Sequence, residues 1–166
     1  MRFVLTGPES SGKTTLATAL SDHFKFPLAQ EMSRPYLKSI SRDYIESDLL
    51  EIAKLQVEEE CAQCVDHCIC DTDLLTVLVW SNYRYHKVDA WIAKQLTNLN
   101  DRHYFLCSPD IPWEPDPLRE NPHDRDVLFS IYQHELDIRN IPYTVIQGDH
   151  EQRMDLACSI LEKLIA

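Results

Sequence analysis

Arg2-Phe3-Val4-Leu5-Thr6, followed by Gly7-Pro8-Glu9-Ser10-Ser11-Gly12-Lys13-Thr14-Thr15 and then Leu16, is the stretch that decides how this chain folds. The first five residues read as a short buried strand. Leu16, Leu20 and Phe24 recur at i, i+4 and i+8, the apolar stripe of a helix that stops before Pro27. Between them, Gly-x-x-x-x-Gly-Lys-Thr is the P-loop pattern in the strand-to-helix context that gives it meaning. Backbone N–H groups of such a loop and of the helix start face phosphate oxygens. Lys13 is then expected to reach the β- and γ-phosphates, and the Thr14 hydroxyl to ligate Mg²⁺. The chain has 3 glycines, Gly7, Gly12 and Gly148, so two of the three lie in this one motif.

Outward from the loop, strands and helices alternate. Residues 27–30 read as a second strand ending at Glu31, and 33–37 as loop and short helix. From Asp48, the positions Leu50, Ala53, Val57, Cys61 and Cys64 give a long amphipathic helix with Asp48 and Glu51 as capping acids. Cys68-Ile69-Cys70 is a third strand, running into Asp71-Thr72-Asp73. Residues 74–80 and 90–99 read as helices and 103–107 as a strand. A proline-rich, highly charged stretch follows, and 109–126 is expected to form an ordered lid. Leu128, Ile131, Tyr132 and Leu136 mark a helix, Tyr143–Ile146 a strand, and Met154, Ala157, Cys158, Leu161, Leu164 and Ile165 the last helix. The alternation implies an α/β fold, a P-loop NTPase with a doubly wound parallel sheet of about five strands flanked by helices, as a single domain over 1–166.

Lys+Arg 16 against Asp+Glu 27 leaves a net charge of −11. That balance disfavours nucleic acid and anionic membrane surfaces, which need a basic face. No run approaches the roughly 18 apolar residues of a membrane span, so the expected location is the cytoplasm. There the six cysteines are expected as free thiols and small buried hydrophobes. Cys61, Cys64, Cys68 and Cys70 cluster in sequence but follow a helix stripe into a strand rather than the spaced pairs of a zinc knuckle.

Phosphoryl transfer also needs a carboxylate near the metal, at the end of a strand beside the loop. Asp71 meets that description and, with Thr14, is the expected Mg²⁺ ligand. Asp73 either faces the acceptor pocket or caps the next helix. Glu31 either takes a hydroxyl proton, or grips a substrate hydroxyl, or sits in a solvated turn. Arg119 and Arg125 stand in an otherwise acidic lid and are expected to neutralise charge on the transferred phosphoryl group, with lid salt bridges as the alternative. Trp113 is an expected acceptor contact, and Gly148 either approaches the nucleotide base or serves its turn.

The loop with its Glu9-Ser10-Ser11 extension, Glu31 with Arg34, Gln56, Asp71-Thr72-Asp73 and the lid arginines together resemble the ribosylnicotinamide kinase domain of NadR-type proteins. The resemblance implies ATP and Mg²⁺ as cofactors and phosphorylation of the 5′-hydroxyl of nicotinamide riboside, a step of NAD biosynthesis. It implies Glu31, Arg34 and Asp73 at the acceptor. Because the chain starts at the kinase strand, the expectation is a stand-alone kinase without repressor or adenylyltransferase activity. Two other readings stay open: a kinase for another nucleoside or metabolite, and a P-loop ATPase acting as a nucleotide-dependent switch. The sequence leaves the oligomeric state open.

Overall fold

The strands of the computed structural model, which describes residues 1–97 and 99–166, are β1 (Arg2–Thr6), β2 (Leu28–Ala29), β3 (Cys68–Asp71), β4 (Arg102–Cys107) and β5 (Tyr143–Ile146). They form one sheet in the order β2-β3-β1-β4-β5. Every pairing is parallel, as expected. Parallel neighbours require crossovers, and the helices supply them. These are α1 (Lys13–Phe24), α2 (Ser33–Ser39), α3 (Glu46–Gln63), α4 (Leu74–Tyr85), α5 (Ala90–Gln95), α6 (Arg125–Ile138) and α7 (His150–Ile165). The helix predicted over 90–99 ends earlier, at Gln95, and its residue Asn98 lies outside the described residues.

Side chains alternate across each strand, so one strand feeds two cores. Phe3 and Leu5 of β1 join Ile69, Phe105, Leu16, Leu20, Ala157 and Leu161 on the face covered by α1 and α7. Val4, between them, joins Cys70, Tyr104, Leu106, Leu49, Ile52, Leu75 and Leu136 on the face covered by α3, α4 and α6. Burying a side chain such as Phe3 or Leu5 completely is worth about 2 kcal/mol. β1 lies at the centre of the sheet, so the loop that follows it emerges between two flanking strands. No helix among the described residues is long and apolar enough to cross a membrane.

The structure also corrects the predicted face of α3 and the state of the cysteines. In α3 the buried face is Leu49, Ile52, Ala53, Gln56 and Glu60, one position away from the predicted stripe, and Cys61 is exposed. The buried polar residues have partners that outweigh the apolar alternative. Gln56 accepts from the Met32 N–H at 3.0 Å and donates to the Gln30 carbonyl at 3.2 Å, which holds β2 to the helix. Glu60 accepts from Arg102 at 2.8 Å. The cysteines are also not all free thiols, because the turn after α3 brings Cys64 and Cys68 to a Cα separation of 5.2 Å, where they form a disulfide. Cys70 and Cys107 are buried thiols, as expected.

Asp48 does cap α3, accepting from the Ile45 N–H at 2.7 Å. Its buried carboxylate also takes a fork from Arg42 at 2.7 and 2.8 Å and the Tyr36 hydroxyl at 2.7 Å. The predicted partner cap, Glu51, instead pairs with Lys54 on the surface. The hydrogen bonds from Arg42, outweighing burial, hold the Asp48 carboxyl well below its ordinary value. A depressed acid contributes stability above the unfolded carboxylate pKa of about 4, and loses it as pH falls through the lower native value. Asp48→Asn is expected to cost about 2 kcal/mol at pH 7. In urea unfolding from pH 7 to pH 2, that deficit should shrink once the pH drops below about 4.

Candidate active site

The loop between β1 and α1 is shaped by three residues of positive φ: Gly7 at 128°, Ser10 at 53° and Gly12 at 80°. Gly7 is required twice over, since a Cβ there would meet the Cys107 carbonyl oxygen at 2.6 Å. The loop carbonyls turn outward to side-chain donors. Pro8 accepts from the Ser11 hydroxyl at 2.8 Å and the Lys13 ammonium at 2.7 Å. Ser11 accepts from Arg153 at 2.8 Å and Ser10 from Arg125 at 3.2 Å. With its carbonyls so occupied, the loop is left to present N–H groups, the arrangement that cradles phosphate.

β3 ends beside this loop, as the parallel pairing of Leu5 with Asp71 requires. Asp71 is 4% exposed and lies beside the Thr14 hydroxyl. Burial raises its carboxyl pKa, against the pull of Thr14 and Lys13. Its Oδ1 has no partner among the described residues. A buried orphan carboxylate oxygen next to a P-loop threonine fits a hard divalent cation, so these two residues suit Mg²⁺.

Thr72 follows at φ 71°, a conformation a β-branched residue seldom adopts. The turn sends Asp73 away from the loop, so the structure does not bring Asp73 to an acceptor site. Its fully buried carboxylate caps α4 through the Leu75 N–H at 3.0 Å and receives Arg102 at 3.2 Å and the Tyr104 hydroxyl. The helix-cap alternative is therefore the correct one.

The loop forms one end of a cavity of about 370 Å³ that extends between α2, α4 and α6. Glu31, Arg34, Thr72 and Thr76 line its middle, and Tyr44, Trp80 and Tyr83 its far end. Glu31 accepts from the Ser33 hydroxyl and lies 3.6 Å from Arg34 Nε. The Tyr44 and Trp80 rings meet edge to face at 5.0 Å, and the Trp80 indole N–H donates to the Tyr44 hydroxyl at 3.1 Å. Burial and the bond to Glu120 raise the Tyr44 phenol, which keeps it a donor.

Residues 108–124 cross this cavity without regular secondary structure. The Glu9 carboxylate accepts the Glu120 and Asn121 N–H groups, both at 3.0 Å, and the Ser10 hydroxyl accepts the Glu114 N–H at 2.9 Å. Arg119 lines the cavity and reaches Ser10 Oγ at 3.4 Å. Arg125 is the first residue of α6 and spans the Ser10 and Ile111 carbonyls. Trp113 does not line the cavity; it stacks under Arg119 and Arg125, with ring-to-guanidinium distances of 5.9 and 5.8 Å. Gly148 likewise lies outside the lining. Its N–H donates to Asp110 at 2.7 Å, and its positive φ serves that turn.

Sequence reasoning missed Arg153. It is 3% exposed and donates to the Gly148, Ser11 and Ser108 carbonyls at 2.7, 2.8 and 3.0 Å, with Asp110 as counter-ion. It thus fastens the loop to α7 and to the ends of β4 and β5. The only signal was a cation directly beside Met154, where the last apolar stripe begins. Tyr44, Trp80 and Tyr83 were also missed, although Trp80 and Tyr83 stand at i, i+3 on one helix face.

A family model for an AAA domain matches residues 2–153. No curated protein matches the chain. Among solved structures, the NadR protein in complex with NR aligns at a TM-score of 0.73 and 16% identity, covering 97% of this chain and 50% of that one. Deoxyadenosine kinase from M. mycoides with bound dCTP aligns at 0.64 and 14%, covering 98% and 100%. Thymidylate kinase from Ehrlichia chaffeensis aligns at 0.66 and 13%, covering 100% and 98%. At these identities the likeness is one of fold: the five-stranded parallel sheet with its P-loop is the fold of these kinases.

Removing Arg153 leaves three carbonyls without this donor and Asp110 without its counter-ion. Arg153→Ala is expected to lower stability by about 3 kcal/mol, measured by urea unfolding. Arg153→Lys should recover only part of this, because an ammonium cannot reproduce the guanidinium fork.

Proposed function

The chain belongs to the AAA domain family, and we propose that it is an ATP-dependent small-molecule kinase that phosphorylates the 5′-hydroxyl of nicotinamide riboside. The observation that carries this reading is the single cavity in which the Gly7–Thr15 loop is continuous with a chamber lined by Glu31, Arg34 and the aromatic rings of Tyr44, Trp80 and Tyr83. A switch ATPase needs the first and has no use for the second. In this reading the chain is one domain, acting in the cytoplasm in NAD salvage, with 109–126 as its lid.

The loop from Gly7 to Thr15 would hold the ATP phosphates, with Lys13 swinging from the Pro8 carbonyl to the β- and γ-phosphates. Thr14 and Asp71 would hold Mg²⁺, which when bound would supply positive charge to offset that of the ATP phosphates. The acceptor's ring would lie against Tyr44, Trp80 and Tyr83, while Glu31, oriented by Ser33 and Arg34, receives the proton of the attacking hydroxyl. Arg119 would face the charge that develops on the transferred group. Arg125 and Trp113 keep the lid seated on Ser10, which excludes water from a site where it would compete with the acceptor. A different nucleoside as acceptor is the second reading, favoured by aromatic lining residues that recognise a flat ring without specifying which.

ADP release from Mg²⁺-ATP should be strongly stimulated by nicotinamide riboside, with the 5′-phosphate found by mass spectrometry. Stimulation by another nucleoside alone would transfer the assignment to that acceptor, and Lys13-dependent hydrolysis without any acceptor would overturn the kinase reading. Asp71→Asn is expected to lower turnover by roughly a thousandfold while ATP binding, followed by calorimetry, is largely kept. Arg119→Ala should reduce kcat by roughly ten- to a hundredfold with a smaller change in the KM for ATP.

A further inference from the structure

Three sulfurs on the side of the sheet away from α1 have no role in phosphoryl transfer. Cys64 caps α3, and Cys68 and Cys70 lie on β3, fully buried. All three sulfurs are within 4.8 Å of one another. Cys64 and Cys68 are joined as a disulfide, and the Cys70 sulfur lies 3.9 Å from the first and 3.8 Å from the second.

That near-equality decides what Cys70 can do. A thiolate breaks a disulfide by attacking one sulfur along the extension of the bond, opposite the sulfur that leaves. Cys70 sits beside the bond, equally far from both ends, and so is misplaced for exchange. Its distances match another geometry. Two thiolates bound to one ion at about 2.3 Å in a tetrahedral arrangement stand about 3.8 Å apart. Separating Cys64 from Cys68 to that spacing would complete a triangle around one point. The half-buried Cys64, at the end of a helix and before a three-residue turn, is the member with room to move.

We propose that Cys64, Cys68 and Cys70, with the Cys64–Cys68 disulfide reduced, form a three-thiolate site for a thiophilic cation of the Zn²⁺ class. The disulfide and the metal complex are exclusive states of the same cluster. With a phosphine as reductant, one water and the phosphine become the phosphine oxide, and the disulfide becomes two thiols. Ion binding then releases the three thiol protons. The exposed Cys61, one turn earlier on α3, lies outside the cluster.

The test uses the full chain, reduced with a phosphine and desalted without oxygen, beside the same chain left oxidised. Zn²⁺ per chain is counted by elemental analysis, and Cd²⁺ is titrated by its thiolate charge-transfer absorption. The reduced chain should retain one ion and the oxidised chain none. Cys70→Ser should lose stoichiometric binding, whereas Cys61→Ser should retain it. Should Cys70→Ser fail to fold, Cys64→Ser at the half-buried helix end must show the same loss. No uptake by the reduced chain, equal uptake by the oxidised chain, full binding by Cys70→Ser or Cys64→Ser, or loss in Cys61→Ser would each overturn the site. None of these readouts depends on kinase activity.

Discussion

The constraint on which the site depends is the direction of the loop carbonyls between Gly7 and Lys13. A loop can offer N–H groups to phosphate only if its C=O groups are satisfied elsewhere, since an unpaired buried carbonyl costs about as much as a lost hydrogen bond. Here Pro8, Ser10 and Ser11 each deliver their carbonyl to a side chain, from Ser11 and Lys13, from Arg125 and from Arg153 respectively. The donors come from the loop itself, the start of α6 and the first turns of α7. The loop's shape is therefore a product of the whole order of elements, and Gly7 against the end of β4 is the point where the sheet sets its height.

A second consequence of burial separates two carboxylates that are two residues apart. Asp71 and Asp73 would share a face if β3 continued, but Thr72 in the left-handed region turns them to different neighbours. Asp71 stays beside Thr14, while Asp73 joins Arg102, Tyr104 and, through Arg102, Glu60. In that buried group, desolvation outweighs the pull of Arg102 and raises Glu60 to about 7. One arginine thus serves two acids, which ties α3, β4 and the start of α4 together beneath the site.

The fold was legible because β1, the loop and α1 are a contiguous signal, and because strands and helices alternate with clear periods. Asp71 was legible for the same reason, as an acid at the end of a strand predicted to pair with β1. What escaped was whatever depended on partners distant in sequence. Gln56 and Glu60 rotate α3 from its apolar stripe because Gln30, Met32 and Arg102 wait on that face. Arg153 reads as an ordinary surface cation until the Ser11 and Ser108 carbonyls are seen around it. The disulfide ran against an expectation drawn from compartment, whereas the geometry is set by a three-residue turn.

The contacts of residues 108–124 differ in kind from those of Arg153, and the difference bears on motion. The segment touches the loop through Glu9 and Ser10, the middle of the cavity through Arg34–Asp116 and its far end through Tyr44–Glu120. Most of these are partly exposed, and exposed ion pairs such as Arg84–Glu120 are worth about 0–1 kcal/mol each. Arg153 is buried, and its bonds are the kind whose loss costs several times more. The segment can therefore part from the cavity at a small fraction of the global stability while the loop beneath keeps its form. Because the one segment touches both ends of the cavity, occupancy at either end biases it, and under the kinase reading closure becomes most favourable when both substrates are present.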